Sequence, residues 1–169
     1  MKVRFSDIDL FLEPGGLHVS AEPAMVKTIL GSCVAVCLHD RKAGVGGLNH
    51  YVLPQSPKNH PPDARYGTFS IQMLIERIQR CGATLRRLQA IVVGGARPVG
   101  NGRGPQVGAA NRDLAVQMLA AYAIPIVKEH TGGEQGRRLF FNTETGQAVV
   151  SLIQRSAAFS VTPERRAGA

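Results

Sequence analysis

Two residues in this chain offer nucleophilic chemistry. Cys33 follows Gly31-Ser32 inside a long apolar run, and His50 closes a second apolar segment that begins at Val45. A free thiol has a pKa of about 8.5, and a neighbouring imidazole that takes its proton makes the sulfur competent to attack an acyl carbon. If residues 39–44 reverse the chain so that Leu38 faces Val45, antiparallel pairing sets Cys33 directly opposite His50. Directly opposed Cβ atoms lie about 4.5–5.5 Å apart, within reach of a thiol–imidazole hydrogen bond. The inference rests on register, because a slip of one residue would turn His50 to the other face. Gly31-Ser32 would let the backbone bend sharply and approach a substrate closely. The same residues admit a second reading, with Cys33 a small buried hydrophobe and His50 a satisfied core histidine. Spacing leaves both open.

Other constellations are weaker. Cys33, Cys37 and His39 would share one strand face, and His50 could join them as a zinc set. Residues 33 and 37 are about 13 Å apart along an ideal strand, too far to share an ion without a bend. Cys37, within an apolar run, and Cys81, at the end of a helical pattern, read as packing residues. The stretch Gly100-Asn101-Gly102-Arg103-Gly104 lies between a strand and a helix pattern. It lacks the Gly-Lys-Ser/Thr ending of a P-loop and the dinucleotide fingerprint, and reads as a mobile loop carrying Arg97 and Arg103 to a partner. No G-x-S-x-G elbow supports serine catalysis.

The elements that must position these residues follow from periodicity. Pro14-Gly15-Gly16 marks a turn and His18-Val19-Ser20 a short strand. Val26 to Leu38 reads as a buried strand and Val45 to Leu53 as a second, ended by Pro54. Ile71, Leu74, Ile75 and Ile78 form a helical stripe, with Thr68 or Ser70 as cap and Gly82 as terminator. Leu88 to Val93 reads as a strand, and Ala110 to Tyr122 as a helix with Leu114, Met118 and Ala121 inward. Ile124 to Val127 is expected as a strand. Leu139-Phe140-Phe141 and Ala148-Val149-Val150 flank Asn142 to Gly146 as a hairpin. This order predicts a single mixed α/β domain over residues 1–169, with frayed termini at 1–9 and 160–169.

Composition narrows the function classes. The 169 residues carry 20 Lys+Arg against 12 Asp+Glu, a net charge of +8, with 44% hydrophobic residues. That is an ordinary globular balance and not a disordered one. No apolar run reaches the roughly 18–20 residues of a membrane span. Three cysteines are too few for a disulfide scaffold, and the start lacks a basic-then-apolar leader, so a reduced cytoplasmic protein is expected. Arginines are scattered in pairs and aromatics make up only 5%, which leaves little for base stacking and favours an acidic protein partner over nucleic acid.

The motifs Leu30 to Leu38, Gly46-Gly47-Leu48-Asn49-His50 and Leu53-Pro54 resemble the chemoreceptor glutamine deamidase family, CheD. The likeness continues through Arg65-Tyr66-Gly67, Val93 to Ala96, Val107 to Asn111 and Gly132 to Arg138, in the expected order over roughly residues 10–155. The resemblance implies a β-sandwich of mixed sheets flanked by helices, similar to a cysteine-dependent toxin deamidase. It implies deamidation of receptor glutamines to glutamate through a thioester, a protein-glutamine glutaminase with no cofactor and no metal. It puts the nucleophile on Cys33 and the general base on His50. Thr28 becomes the candidate to orient that histidine, and the Gly31-Ser32 turn the candidate for the oxyanion donors. Methyl-accepting chemotaxis receptors are the implied partners. Some relatives also bind a CheC-type phosphatase, and some act as receptor methylesterases. The alternative for this chain is a non-catalytic adaptor that regulates such a phosphatase, with Cys33 structural.

Overall fold

The computed structural model describes residues 7–97 and 106–154. Arg103, one of the two expected loop cations, and the tail 160–169 lie outside the described residues, as do residues 1–6. Nine strands and two α-helices are described, with one short 3-10 turn. A four-stranded sheet has the order β1 (Leu10–Phe11), β3 (Met25–Leu30), β8 (Arg137–Asn142), β9 (Ala148–Leu152). A five-stranded sheet has the order β2 (Leu17–Ser20), β5 (Val45–Asn49), β4 (Val34–Asp40), β6 (Gln89–Gly94), β7 (Ile126–Thr131). Both are mixed, with parallel pairs β1–β3 and β6–β7. The helices α1 (Gly67–Arg80) and α2 (Val107–Ala121) pack on the five-stranded sheet. This is the expected mixed α/β sandwich with flanking helices.

The central strand β4 explains the layering. Val34, Val36 and Leu38 point into the core shared with the helices, while Ala35 and Cys37 point into the core between the sheets. A strand covered on both faces reads as a continuous apolar run, which is why residues 26–38 resembled one strand. They form two. Gly31-Ser32-Cys33 makes a corner that carries the chain from one sheet to the other. The corner is tied to the loop after β6: the Ala96 amide donates to the Gly31 carbonyl and the Gly95 amide to the Cys33 carbonyl, each at 2.8 Å. Such corners are how a chain passes between packed sheets.

Several expected boundaries move for local reasons. The β4–β5 reversal occupies residues 41–44 and pairs Asp40 with Val45. Asp40 stays in the strand because its buried carboxylate accepts the amides of Lys42, Ala43 and Thr84 and the Arg87 guanidinium. The ladder of β5 ends at Asn49 and not Leu53, because the Val36 amide donates to the Asn49 side chain and His50 pairs its backbone with Gly15 and Gly16. Helix α1 starts after Tyr66 without a side-chain cap; Ser70 is buried within it, and Gly82, at φ +102°, terminates it as expected. In α2 the inward residues include Leu114, Ala115 and Leu119, while Ala121 is exposed. Residues 122–125 complete the turn ending α2, so the following strand begins at Ile126. Near the chain start, Asp9 is fastened to Met25 by backbone and carboxylate bonds of 3.0 and 2.7 Å.

Candidate active site

Three elements converge at one end of the sandwich. Thr28 faces inward from β3 and is fully buried, since inward positions on that strand fall at Val26, Thr28 and Leu30. Cys33 ends the corner between the sheets, half-buried against the inter-sheet core. His50 follows β5 and is 1% exposed. Its backbone is pinned by donation to the Gly16 carbonyl at 3.0 Å and acceptance from the Gly15 amide at 2.7 Å.

Hydrogen bonding assigns the histidine tautomer. Thr28 Oγ1 lies 2.7 Å from the Leu12 carbonyl and 2.8 Å from His50 Nδ1. A carbonyl only accepts, so the single hydroxyl proton goes to Leu12, and the oxygen accepts from an Nδ1–H. The basic lone pair is therefore on Nε2, which is buried and has no hydrogen-bond partner. Burial lowers the His50 pKa from 6.5 to about 4, opposed by the Leu12 carbonyl, so the ring is neutral at pH 7. Burial also raises the Cys33 thiol, opposed by its own backbone N–H. The resting pair is thus a neutral thiol and a neutral imidazole.

The register differs from the sequence expectation by two residues. Val34 and Tyr51 exchange both backbone bonds, at 3.1 and 3.0 Å, which sets Cys33 opposite Val52 and not opposite His50. The cause is Asp40, whose retention in the strand shortens the reversal. A shift of two preserves the face, so Cys33 and His50 remain diagonal neighbours on the inter-sheet side. No hydrogen bond joins them.

The corner borders open space. A Cβ placed on Gly31 would meet nothing within 4 Å, and Gly31 has no positive φ, so its value is access and not backbone freedom. A cavity of about 470 Å³ starts at Ser32 and is walled by Ala96, Arg97, Gly108, Arg112 and Gly133. Gly94 is the glycine whose conformation is required: its φ is +116°, and a Cβ there would collide with the Cys33 carbonyl.

The four-residue zinc set is not assembled. Cys37 is buried between the sheets with its thiol pushed far up, and His39 Nε2 lies 2.8 Å from the Glu144 carbonyl at the other end of the strand. Among the described residues no group of three or more His, Cys, Asp or Glu could hold a metal. Three participants carried no assigned role in the sequence: the Leu12 carbonyl, Asn49 and Asn111. Asn111 had two available signals, its place in the Val107 to Asn111 motif and a polar amide in the buried stripe of α2 that continues through Leu114 and Ala115.

Comparison with known proteins assigns the family. A family model described as CheD chemotactic sensory transduction matches residues 52–152. The chain belongs to the CheD family. It is 42% identical over 145 residues to "Probable chemoreceptor glutamine deamidase CheD 1" of Anaeromyxobacter dehalogenans, covering 85% of this chain and 84% of that one. A Rhodospirillum rubrum protein, "Probable chemoreceptor glutamine deamidase CheD", is 42% identical over 145 residues, covering 85% and 82%. One of the same name from Rhizobium johnstonii is 43% identical over 150 residues, covering 80% of each. The family-model match begins two residues after His50, but a match to 85% of the chain necessarily spans Thr28, Cys33, His50 and Asn111. The alignments of this CheD chain with the Anaeromyxobacter and Rhodospirillum relatives therefore run through all four positions.

Proposed function

We propose that this CheD protein deamidates glutamine side chains of chemoreceptors, with Cys33 as nucleophile, His50 as base and acid, and Thr28 holding the ring. The observation that carries the reading is the buried His50, whose Nδ1–H is committed to Thr28 and whose Nε2 is free on the same sheet face as half-exposed Cys33. Both groups are neutral at rest, so proton transfer is coupled to attack. Rotation of the Cys33 side chain brings the thiol to Nε2. Nε2 takes the proton as Sγ bonds to the glutamine Cδ. The C=O π pair moves to oxygen, and amides of the Gly31-Ser32-Cys33 corner stabilise that oxyanion. The C–N bond breaks as the imidazolium delivers its proton to nitrogen, releasing ammonia and leaving a thioester. Water then gives a proton to Nε2 and its oxygen to Cδ, and sulfur departs and is reprotonated. The balance is glutamine plus water to glutamate plus ammonia, with no redox change.

A glutamyl methyl ester presents the same acyl carbon and would pass through the same thioester, with methanol leaving. The net charge of +8 favours encounter with an acidic receptor surface. No helix among the described residues is long and apolar enough to cross a membrane. We place the protein in the cytoplasm, where it meets the signalling region of receptors. The test is mass spectrometry of a receptor signalling fragment after incubation, which should show about one dalton gained per converted glutamine. Cys33→Ala should abolish the gain. An undiminished gain would remove Cys33 from the chemistry, whereas no gain from either protein together with full biological activity of Cys33→Ala would leave Cys33 structural and the protein an adaptor for a partner such as a CheC-type phosphatase.

A further inference from the structure

We infer that Asn111 is a positioning residue that sets the distance between nucleophile and base; the inference rests on the Cys33–His50 reading above. Asn111 lies in α2 and is fully buried. Its side-chain amide donates one proton to the Ser32 carbonyl at 3.0 Å and the other to the Val52 carbonyl at 2.8 Å. Ser32 immediately precedes Cys33, and Val52 lies two residues beyond His50, so one rigid planar group spans the two segments that carry the chemistry. The Tyr51 hydroxyl ties down the helix backbone at the same residue, donating to the Asn111 carbonyl at 2.5 Å.

Few residues could take this place. Two donors on a short planar side chain are needed, because both targets are carbonyl oxygens that only accept. Aspartate offers none when ionised, serine offers one, and glutamine is longer by a methylene. The remaining polar atom, Asn111 Oδ1, is buried with no hydrogen-bond partner. The amide acts through its two donors, each committed to a different loop. It is a good solution for holding two loops at a fixed separation. Cys33 and His50 are diagonal and not directly opposed, so their approach is sensitive to small shifts of either loop.

The experiment uses Asn111→Ala and Asn111→Ser in the full chain, with Ile78→Ala in α1 as a core truncation remote from the site. Melting temperature, kcat and KM on a receptor fragment, and the pH profile of Cys33 alkylation by iodoacetamide are measured for each. Loss of fixed geometry should lower kcat by about 10- to 100-fold with KM changed less than about threefold. The alkylation profile should move as the corner carrying Cys33 loosens and the burial that raises its thiol is relieved. Ile78→Ala should lose comparable or greater stability with kcat near wild type. A folded Asn111 variant with wild-type kcat and alkylation profile overturns the inference, even if its melting temperature falls. Cys33→Ala that still converts the fragment overturns the underlying reading instead, so the two failures are distinguishable.

Discussion

Replacing Thr28 with valine keeps the shape of the side chain and removes only the hydroxyl that joins Leu12 to His50. In the folded protein that hydroxyl donates at 2.7 Å and accepts at 2.8 Å, with Thr28 and His50 both essentially inaccessible to water. The Leu12 carbonyl still faces the ring after the change, so the stability loss should be that of one buried polar group, about 1–3 kcal/mol. For a chain of this size that is a fall of roughly 3–10 °C in Tm. Catalysis should suffer more. When Nε2 takes the thiol proton, the bond from Nδ1–H to Thr28 becomes charge-assisted, worth about 1.5–3 kcal/mol. Losing it in the transition state lowers kcat by about 10- to 150-fold. The assay is the mass gain of a receptor fragment under single-turnover conditions, with Thr28→Ser as the hydroxyl-retaining comparison. Thr28→Ser should stay within about threefold of wild type. A folded Thr28→Val protein with wild-type kcat would refute the claim that this hydroxyl holds the base.

Other perturbations follow from the same structure. Because His50 titrates near pH 4 when folded and near 6.5 when unfolded, only the unfolded chain gains a proton as pH falls through that window. Stability attributable to neutral His50 is present above pH 6.5 and should drop by up to roughly 3 kcal/mol as pH falls to 4. Urea titrations at both ends of the window should show His50→Asn losing less than wild type. Asp40→Asn should destabilise by about 3 kcal/mol, since it disrupts a fully buried carboxylate bound to three amides and Arg87, and denaturant midpoints will measure it. Gly31→Ala should leave Tm within about 1 °C because its Cβ meets open space, and any effect should appear as a raised KM for the receptor fragment. Gly94→Ala should lose both stability and activity, because its left-handed φ and the adjacent Cys33 carbonyl leave no room for a methyl group.

What the sequence determined was chemistry and local pattern. A cysteine after a Gly-Ser pair and a histidine at the end of the next apolar segment marked two candidate residues, ordered motifs marked the family, and the family resemblance added Thr28. The stripe of α1, its glycine terminator and the β8–β9 hairpin were legible because each depends on residues near one another in the chain. Tertiary structure decided the rest. Residues 26–38 divide between two sheets because contacts from Gly95 and Ala96, more than sixty residues away, fix the corner at Gly31 and Cys33. The hairpin register shifted by two because Thr84 and Arg87 hold Asp40 in its strand. Asn111 acquires its place only when α2 packs over the corner and meets the carbonyls of Ser32 and Val52. Side-chain type is written residue by residue. The distance between a thiol and an imidazole is set by backbone groups distant in sequence, which hydrogen-bond to each other only once the sheets and helices have packed.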